Sequence, residues 1–384
     1  MRITHVITRL IVGGAQENTV ATVLGLARER DVQVDLISGP TTGPEGSLES
    51  AFDEDTRLLR VIPELVRPVA PLRDLRALWR LTSIFRATRP DIVHTHSGKA
   101  GILGRIAARR AMVPVIIHTI HGPSFGTFQG ALANTIFTSA ERWAAHSTTH
   151  FISVAHAMTQ QYLVAGIGRP DQFTTIWSGF ELDPFLHAEN DLRLREKLGL
   201  APEHLVIGKI GRLVGLKGHE ELFEAAVRMI SANPNVRFLL IGDGPSRSQF
   251  EARLETLGIS KYFFFTGLIK PVEVPRYIGI MDILVHLSRR EGLPRALPQA
   301  LAAGKPVIAY DCDGAGEICL HNETGFLVAP GDLDGLIRSV GLLGADRNLR
   351  AKLGNNGREL VKSRFDVKAM VVGIHALYGK LLAR

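Results

Sequence analysis

The chain has 384 residues, of which 45% are hydrophobic and 22% charged, and a formal net charge of +7. That length suits two domains rather than one core, and no apolar run approaches the roughly 20 residues that span a bilayer. The positive charge forms no zinc-finger spacing and no aromatic RNA-binding signature, which argues against a nucleic-acid partner, and the two cysteines, Cys312 and Cys319, fit neither a disulfide framework nor a C-x-x-C pair.

From the N-terminus, ITHVI opens a rhythm of short β-branched runs and helical segments. The opening MRITHVITRLIVGG runs straight into it without a small-residue cleavage site, so the expectation is a cytoplasmic protein. A helix over residues 16–30 and the strand VQVDLIS follow. Next, Arg73, Arg76 and Arg80 recur at helical spacing among Leu72, Leu75, Leu78 and Trp79, ahead of Phe85, Arg86 and Arg89, which predicts an amphipathic helix with a basic stripe. The stripe reads as a solvated face over a core-packed helix, with peripheral contact with anionic lipid at the inner membrane face as the alternative. DIVHTHS, a helix over 99–110, VPVIIHTIH, a helix over 129–146, THFISVA, a helix over 156–165 and FTTIW complete the first half. Parallel βαβ units produce such alternation.

Residues 178–193 lose periodicity and hold Pro184 and several acids, which places an interdomain linker there and divides the chain into 1–183 and 184–384. The rhythm restarts with LVIGKIG, FLLIGDG, YFFFTG, ILVHLS, PVIAYDC and GFLVAP. The fold class is therefore α/β, with two doubly wound parallel-sheet domains. From Asp366 a last helical pattern begins, and periodicity leaves open whether it packs on its own lobe or crosses to the N-terminal one.

Ligands in open α/β sheets bind beyond the carboxyl ends of the strands. The segments there are GGAQENT, HSGKAG, HGPSFG, GRLVGLKG, GDGP, SRREGLPRALPQ and DCDGAGE, all glycine-rich or polar. They are expected to line a cleft between two facing lobes.

GPSFG, with Ser124 at its centre, matches the G-x-S-x-G nucleophile elbow, but Pro123 and a helix start delayed to Gln129 fit that strained strand-to-helix turn poorly. His94 and His96 share one strand face and His118 and His121 end a nearby strand, yet no carboxylate stands at H-E-x-x-H spacing, so no metal is expected. The acid pairs Asp53/Asp55 and Asp311/Asp313 are read as chance. Phosphate handling has the strongest support. Arg212 and Lys217 flank a flexible loop that feeds a helix beginning near His219, so a guanidinium, an ammonium and a helix N-terminus converge, as a departing diphosphate requires. The loop is not a Walker motif, and Gly13-Gly14-Ala15-Gln16 lacks the third glycine of a dinucleotide fingerprint. Lys99 is the only lysine before Phe185 in a stretch that otherwise uses arginine, and a compact charge there suits a sugar or phosphate oxygen.

Taken in order, GGAQENT, HTHSGKAG, HTIHG, GRLVGLKGH, LLIGDGP, FTGLI, EGLPRALPQALAAGKPVIA and NETGFLV resemble the retaining glycosyltransferases of family 4, with their GT-B architecture of two facing Rossmann-like lobes. The resemblance covers nearly the whole chain. It implies a hexosyltransferase that moves a sugar from a nucleoside diphosphate sugar, UDP-linked in the first instance, to a glycan or lipid-linked glycan acceptor, and the basic helix over Arg73 to Arg89 fits acceptors at the inner membrane surface, as in envelope polysaccharide assembly. It assigns acceptor binding to 1–183 and nucleotide-sugar binding to 184–384. By the same resemblance Gly13 and Gly14 let the backbone approach the donor phosphates, and His121 meets the sugar near the reacting centre. Arg212 and Lys217 neutralise the departing diphosphate, and Leu268 and Ile269 flank the base. Glu291 bonds sugar hydroxyls beside the amides of Gly292 and Leu293, with Gln16 and Lys99 as further acceptor or sugar contacts. Retention in such enzymes is explained by front-face attack, which needs no protein nucleophile, no cofactor and no metal. One position departs. Eight residues after Glu291 the family has a second glutamate on the ribose, and here it is Gln299; a neutral hydrogen bond is worth about 0.5 to 1.5 kcal/mol against roughly 1.5 to 3 for one to a charged group. A nucleotide-sugar epimerase, a sugar phosphorylase on the same fold, or a binding protein without turnover stays open at this point.

Overall fold

The computed structural model describes residues 1–43, 46–126 and 128–383. The chain forms two units, one of Met1–Phe180 together with Val367–Arg384 and one of Glu181–Asp366. The break falls inside the aperiodic stretch at 178–193.

The first unit is built on seven strands: β1 (Arg2–Ile7), β2 (Gln33–Ser38), β3 (Leu59–Val61), β4 (Ile92–His96), β5 (Val115–Ile120), β6 (His150–Ser153) and β7 (Phe173–Thr175). They lie in the order β3-β2-β1-β4-β5-β6-β7, every pairing parallel. Strand β3 was not expected from the sequence. It is the three-residue edge LRV, with Arg60 and Val61 exposed, too short to show any alternation. The helix Gly14–Leu26 buries Val20, Val23 and Leu26 against Ile3 and Ile7 of β1. The C-terminal helix, Val367–Leu382, joins that same core through Met370, Val371, Ile374, Leu377, Tyr378 and Leu381, each apolar side chain so buried being worth about 1.5 to 3 kcal/mol. Contact between the two helices is close: a Cβ on Gly25 would lie 2.6 Å from Val371 Cγ2.

The second unit has six parallel strands, β8 (Leu205–Ile210), β9 (Val236–Ile241), β10 (Phe263–Phe265), β11 (Ile283–His286), β12 (Val307–Tyr310) and β13 (Gly325–Val328), in the order β10-β9-β8-β11-β12-β13. The helix His219–Ala232 packs Leu222, Phe223, Ala226 and Met229 on Ile207, Phe238 and Val285. In each sheet the strand order reverses once, between β1 and β4 in the first unit and between β8 and β11 in the second. Connections leave in opposite directions at such a point, so the strand ends part there and leave room for a ligand.

Candidate functional site

In the second unit the predicted phosphate loop follows β8 and the predicted sugar-binding segment follows β11, the two strands that flank the reversal. The loop is pinned by backbone contacts that explain its glycines. Gly218 lies at φ 66°, and a Cβ there would stand 2.1 Å from the carbonyl oxygen of Leu287. Arg289 N donates to Leu216 O at 3.0 Å and Leu213 N donates to Asp243 O at 3.0 Å. The GDGP turn presses so closely on the loop that a Cβ on Gly244 would fall 2.5 Å from Leu213 O.

This frame delivers Lys217, at the end of the turn Gly215–Lys217, onto Glu291, with which it forms an ion pair. Their side chains are 23% and 22% exposed, so the pair is open to a ligand. Glu291 is oriented from behind: its backbone N–H donates to Asp313 Oδ2 at 2.6 Å, and His286 Nε2 lies 3.4 Å from its Oε1. Burial would raise the Glu291 carboxyl, but its contact with His286 and the Lys217 charge override that and hold it well below the usual carboxylate range. Lys209, on β8 and 3% exposed, completes the electrostatics. Burial pushes its ammonium down to about 7; the Lys217 charge adds to this, and Glu221 and Glu291 oppose it. Burial likewise lowers His286.

The remaining predicted residues of this unit lie at several places in it. Arg212 is exposed on the same loop, and Gly292 and Leu293 are buried directly after Glu291. Gly292 O accepts from Gly314 N at 3.1 Å. Gln299 is half-buried on the helix Ala296–Ala302. Leu268, 54% exposed, and the half-buried Ile269 follow the edge strand β10.

In the first unit the predicted residues follow β1 and β4, which flank the reversal, and β5 beside them. Gly13 caps the helix that starts at Gly14, and a Cβ on it would meet Gln16 Oε1 at 3.0 Å. Lys99 donates to the Asp74 carboxylate and to Pro68 O, so its charge is engaged by the helix Pro71–Thr88 and the turn before it. The Ser124 hydroxyl donates to Glu141 Oε1 at 2.9 Å, and Glu141 pairs with Arg105 where both side chains are fully buried. A serine bonded to a carboxylate that is itself committed to a guanidinium has no general base, so GPSFG is loop backbone and not an elbow. His121, half-buried after β5, bonds His96 Nδ1 through its Nε2 at 3.0 Å. His118 points to the other face of the sheet, where its Nδ1 meets Thr95 Oγ1 at 2.9 Å.

Behind His121 the strands stack three fully buried imidazoles, His5, His94 and His96. Their nitrogens come within 4.8 Å of one another, near enough to share a metal ion. Each is already hydrogen-bonded: His5 Nδ1 to His96 Nε2 at 2.9 Å, His5 Nε2 to Tyr378 Oη at 3.3 Å, and His94 to Tyr378 and Thr119. Lys209, His286 and Asp313 in one unit and His5 and Tyr378 in the other were not anticipated. A lysine inside the apolar run LVIGKI and the acid pair Asp311/Asp313 are the available signals.

Two family models divide the chain: Glycosyltransferase Family 4 matches residues 12–183 and Glycosyl transferases group 1 matches residues 190–360. The UDP-Gal:alpha-D-GlcNAc-diphosphoundecaprenol alpha-1,3-galactosyltransferase of Escherichia coli is 30% identical over 337 residues, covering 87% of this chain and 86% of that one. The capsular polysaccharide biosynthesis glycosyltransferase CapM of Staphylococcus aureus is 28% identical over 366 residues, 92% of each. Among solved structures, Anabaena HepE in complex with UDP and glucose superposes with a TM-score of 0.84 at 22% identity, over 99% of this chain and 100% of that one. The two doubly wound units are thus those of the GT-B fold, and the chain belongs to the glycosyltransferases, carrying a family 4 domain and a group 1 domain in succession.

Proposed function

We propose that this hexosyltransferase uses a UDP-sugar, retains the anomeric configuration without a metal ion, and acts on a lipid-linked glycan acceptor at the inner membrane face. The observation that carries the donor assignment is the Lys217–Glu291 pair at the reversal of the second sheet. An ammonium and a carboxylate that hold one another before binding can separate onto a diphosphate and a sugar hydroxyl. Lys217, Arg212 and the N-terminus of the helix His219–Ala232 then supply the positive potential that a metal would otherwise provide. The acceptor oxygen forms its bond to the anomeric carbon on the face from which the diphosphate departs, and its proton passes to the leaving phosphate oxygen. His121 contacts the donor sugar. UDP is favoured because the Escherichia coli relative is named for UDP-Gal and HepE holds UDP and glucose.

Thermal melting with UDP, GDP and ADP and their sugar conjugates tests this, because a ligand bound only by the native state raises its stability by RT ln(1 + [L]/Kd). A shift with UDP that Lys217→Ala abolishes is expected. Near-normal turnover in Lys217→Ala rejects the phosphate assignment.

The membrane reading rests on the helix Pro71–Thr88. Its inner face buries Leu78, Leu81 and Phe85, while Leu72 (75% exposed), Leu75 (52%) and Trp79 (68%) stand out beside Arg73, Arg76 and Arg80. Among the described residues no helix is long and apolar enough to cross a membrane. Apolar and cationic side chains interleaved on one helix face suit a seat in an anionic lipid interface.

A further inference from the structure

The buried imidazoles form a hydrogen-bonded chain that reaches His121. In order it runs Thr119 Oγ1, His94 Nε2 and Nδ1, Tyr378 Oη, His5 Nε2 and Nδ1, His96 Nε2 and Nδ1, His121 Nε2, with 2.6 Å at the first link and 3.3, 2.9 and 3.0 Å at the last three. His5, His94, His96 and Tyr378 are each at most 1% exposed. Burial, helped at His94 and His96 by neighbouring imidazoles, keeps all three histidines neutral at physiological pH.

A neutral imidazole has one N–H and one lone pair, and a phenol has one proton. A histidine bonded at both nitrogens therefore donates one way only, and Tyr378 donates to one of its two histidines. All five links must point in the same direction. Thr119 fixes which: among the described residues its hydroxyl has no hydrogen-bond partner besides His94, so accepting from His94 would leave a buried O–H unpaired, whereas donating satisfies it. Thr119 thus donates to His94, His94 Nδ1–H to Tyr378, Tyr378 to His5 Nε2, His5 Nδ1–H to His96 Nε2, and His96 Nδ1–H to His121 Nε2.

We propose that this chain locks His121 in its Nδ1–H tautomer, and that Tyr378, from the C-terminal helix, is a positioning residue for sugar transfer. The catalytic consequence rests on the reading that His121 contacts the donor sugar: a fixed tautomer presents Nδ1–H as a hydrogen-bond donor. The tautomer itself does not depend on that reading.

The test is 15N NMR of histidine-labelled full-length protein, with the His121 signals assigned through His121→Gln, alongside steady-state kinetics. Wild type is expected to show His121 protonated at Nδ1. Tyr378→Phe, which removes the one proton linking His94 to His5, should leave His121 a mixture of tautomers and lower kcat about three- to tenfold, the worth of one neutral hydrogen bond, with the donor KM little changed. Thr119→Val removes the terminal donor while preserving shape and should act alike, which keeps the test available if Tyr378→Phe folds poorly. His121 protonated at Nε2 in wild type, or unmoved by both variants, overturns the chain. So does a zinc ion held one per chain and lost in His5→Asn, since a metal takes the lone pairs the chain needs. A tautomer that shifts as expected while kcat stays at the wild-type value overturns the positioning role alone, whereas a wild-type kcat in His121→Gln overturns the contact between His121 and the sugar.

Discussion

Replacing Lys209 with methionine removes a buried charge at nearly constant side-chain length. Its ammonium, lowered by burial from 10.5 to about 7, binds its proton more weakly in the folded chain than in the unfolded one. Between those two values the unfolded state holds more protons, so stability rises with pH across the window. Below about pH 7 both states are protonated and the fold carries the whole cost, on the order of 5 kcal/mol at about 1.4 kcal/mol per unit. From pH 6.5 to 9 roughly half of it is relieved. Above pH 9 the thiols of Cys312 and Cys319, pushed up to about 12 by burial, act in the opposite sense, because the unfolded chain then loses protons that the fold retains. The measurement is urea unfolding at several pH values between 6.5 and 9, followed by far-UV circular dichroism. Fluorescence would not serve, since Trp79, Trp143 and Trp177 all belong to the first unit. Lys209→Met should be the more stable protein at pH 6.5, with its advantage narrowing by about 2 to 3 kcal/mol at pH 9. An advantage that stays constant over that range would refute the assignment of a buried, titrating ammonium on β8.

Gly218→Ala should lower stability by more than the roughly 1 to 2 kcal/mol of the left-handed conformation, since the new Cβ would sit 2.1 Å from Leu287 O. It should also weaken UDP binding by calorimetry, and wild-type affinity would show that the loop tolerates displacement. Glu141→Ala leaves Arg105 buried without its counter-ion and should cost about 3 to 5 kcal/mol, with Arg105→Met/Glu141→Leu recovering most of it; equal losses in both would mean that packing rather than charge is decisive. Leu72→Ser/Trp79→Ser should reduce sedimentation with phosphatidylglycerol vesicles several-fold while turnover on a water-soluble acceptor is unchanged, and undiminished sedimentation rejects that helix as the membrane contact.

The parallel strands, the restart after residue 193 and the basic loop after LVIGKIG were legible because each is a local pattern: β-branched runs, a loss of period, glycines followed by a lysine. Resemblance assigns Lys217 and Glu291 to one site but to different parts of the donor; their contact with one another is visible only in the fold, for the two lie 74 residues apart. Asp313 looked like one of many chance acids, and only the fold shows it holding the Glu291 amide. The spacing of the basic helix predicts a polar stripe opposite apolar residues, yet Leu72, Leu75 and Trp79 share the arginines' outward face. At i, i+3 and i+7 they have the spacing of a core stripe, and hydrophobicity alone does not say which stripe faces in. His94 and His96 were recognised as sharing a strand face. Tyr378 lies 284 residues beyond His94, and no local signal could join them.

Because residues 367–383 complete the first sheet's core after an intervening body of 186 residues, Glu181–Asp366, the order of synthesis is not the order of assembly. The second unit is contiguous and can fold as it leaves the ribosome, whereas the first must wait with the faces of Val20, Val23 and Ile3 uncovered until the final helix emerges. A fragment cut at residue 180 would keep all seven strands and lose its seal. Expressed alone, it would be a sticky intermediate, and a soluble first unit should instead be made by joining residue 180 through a short flexible linker to residue 367.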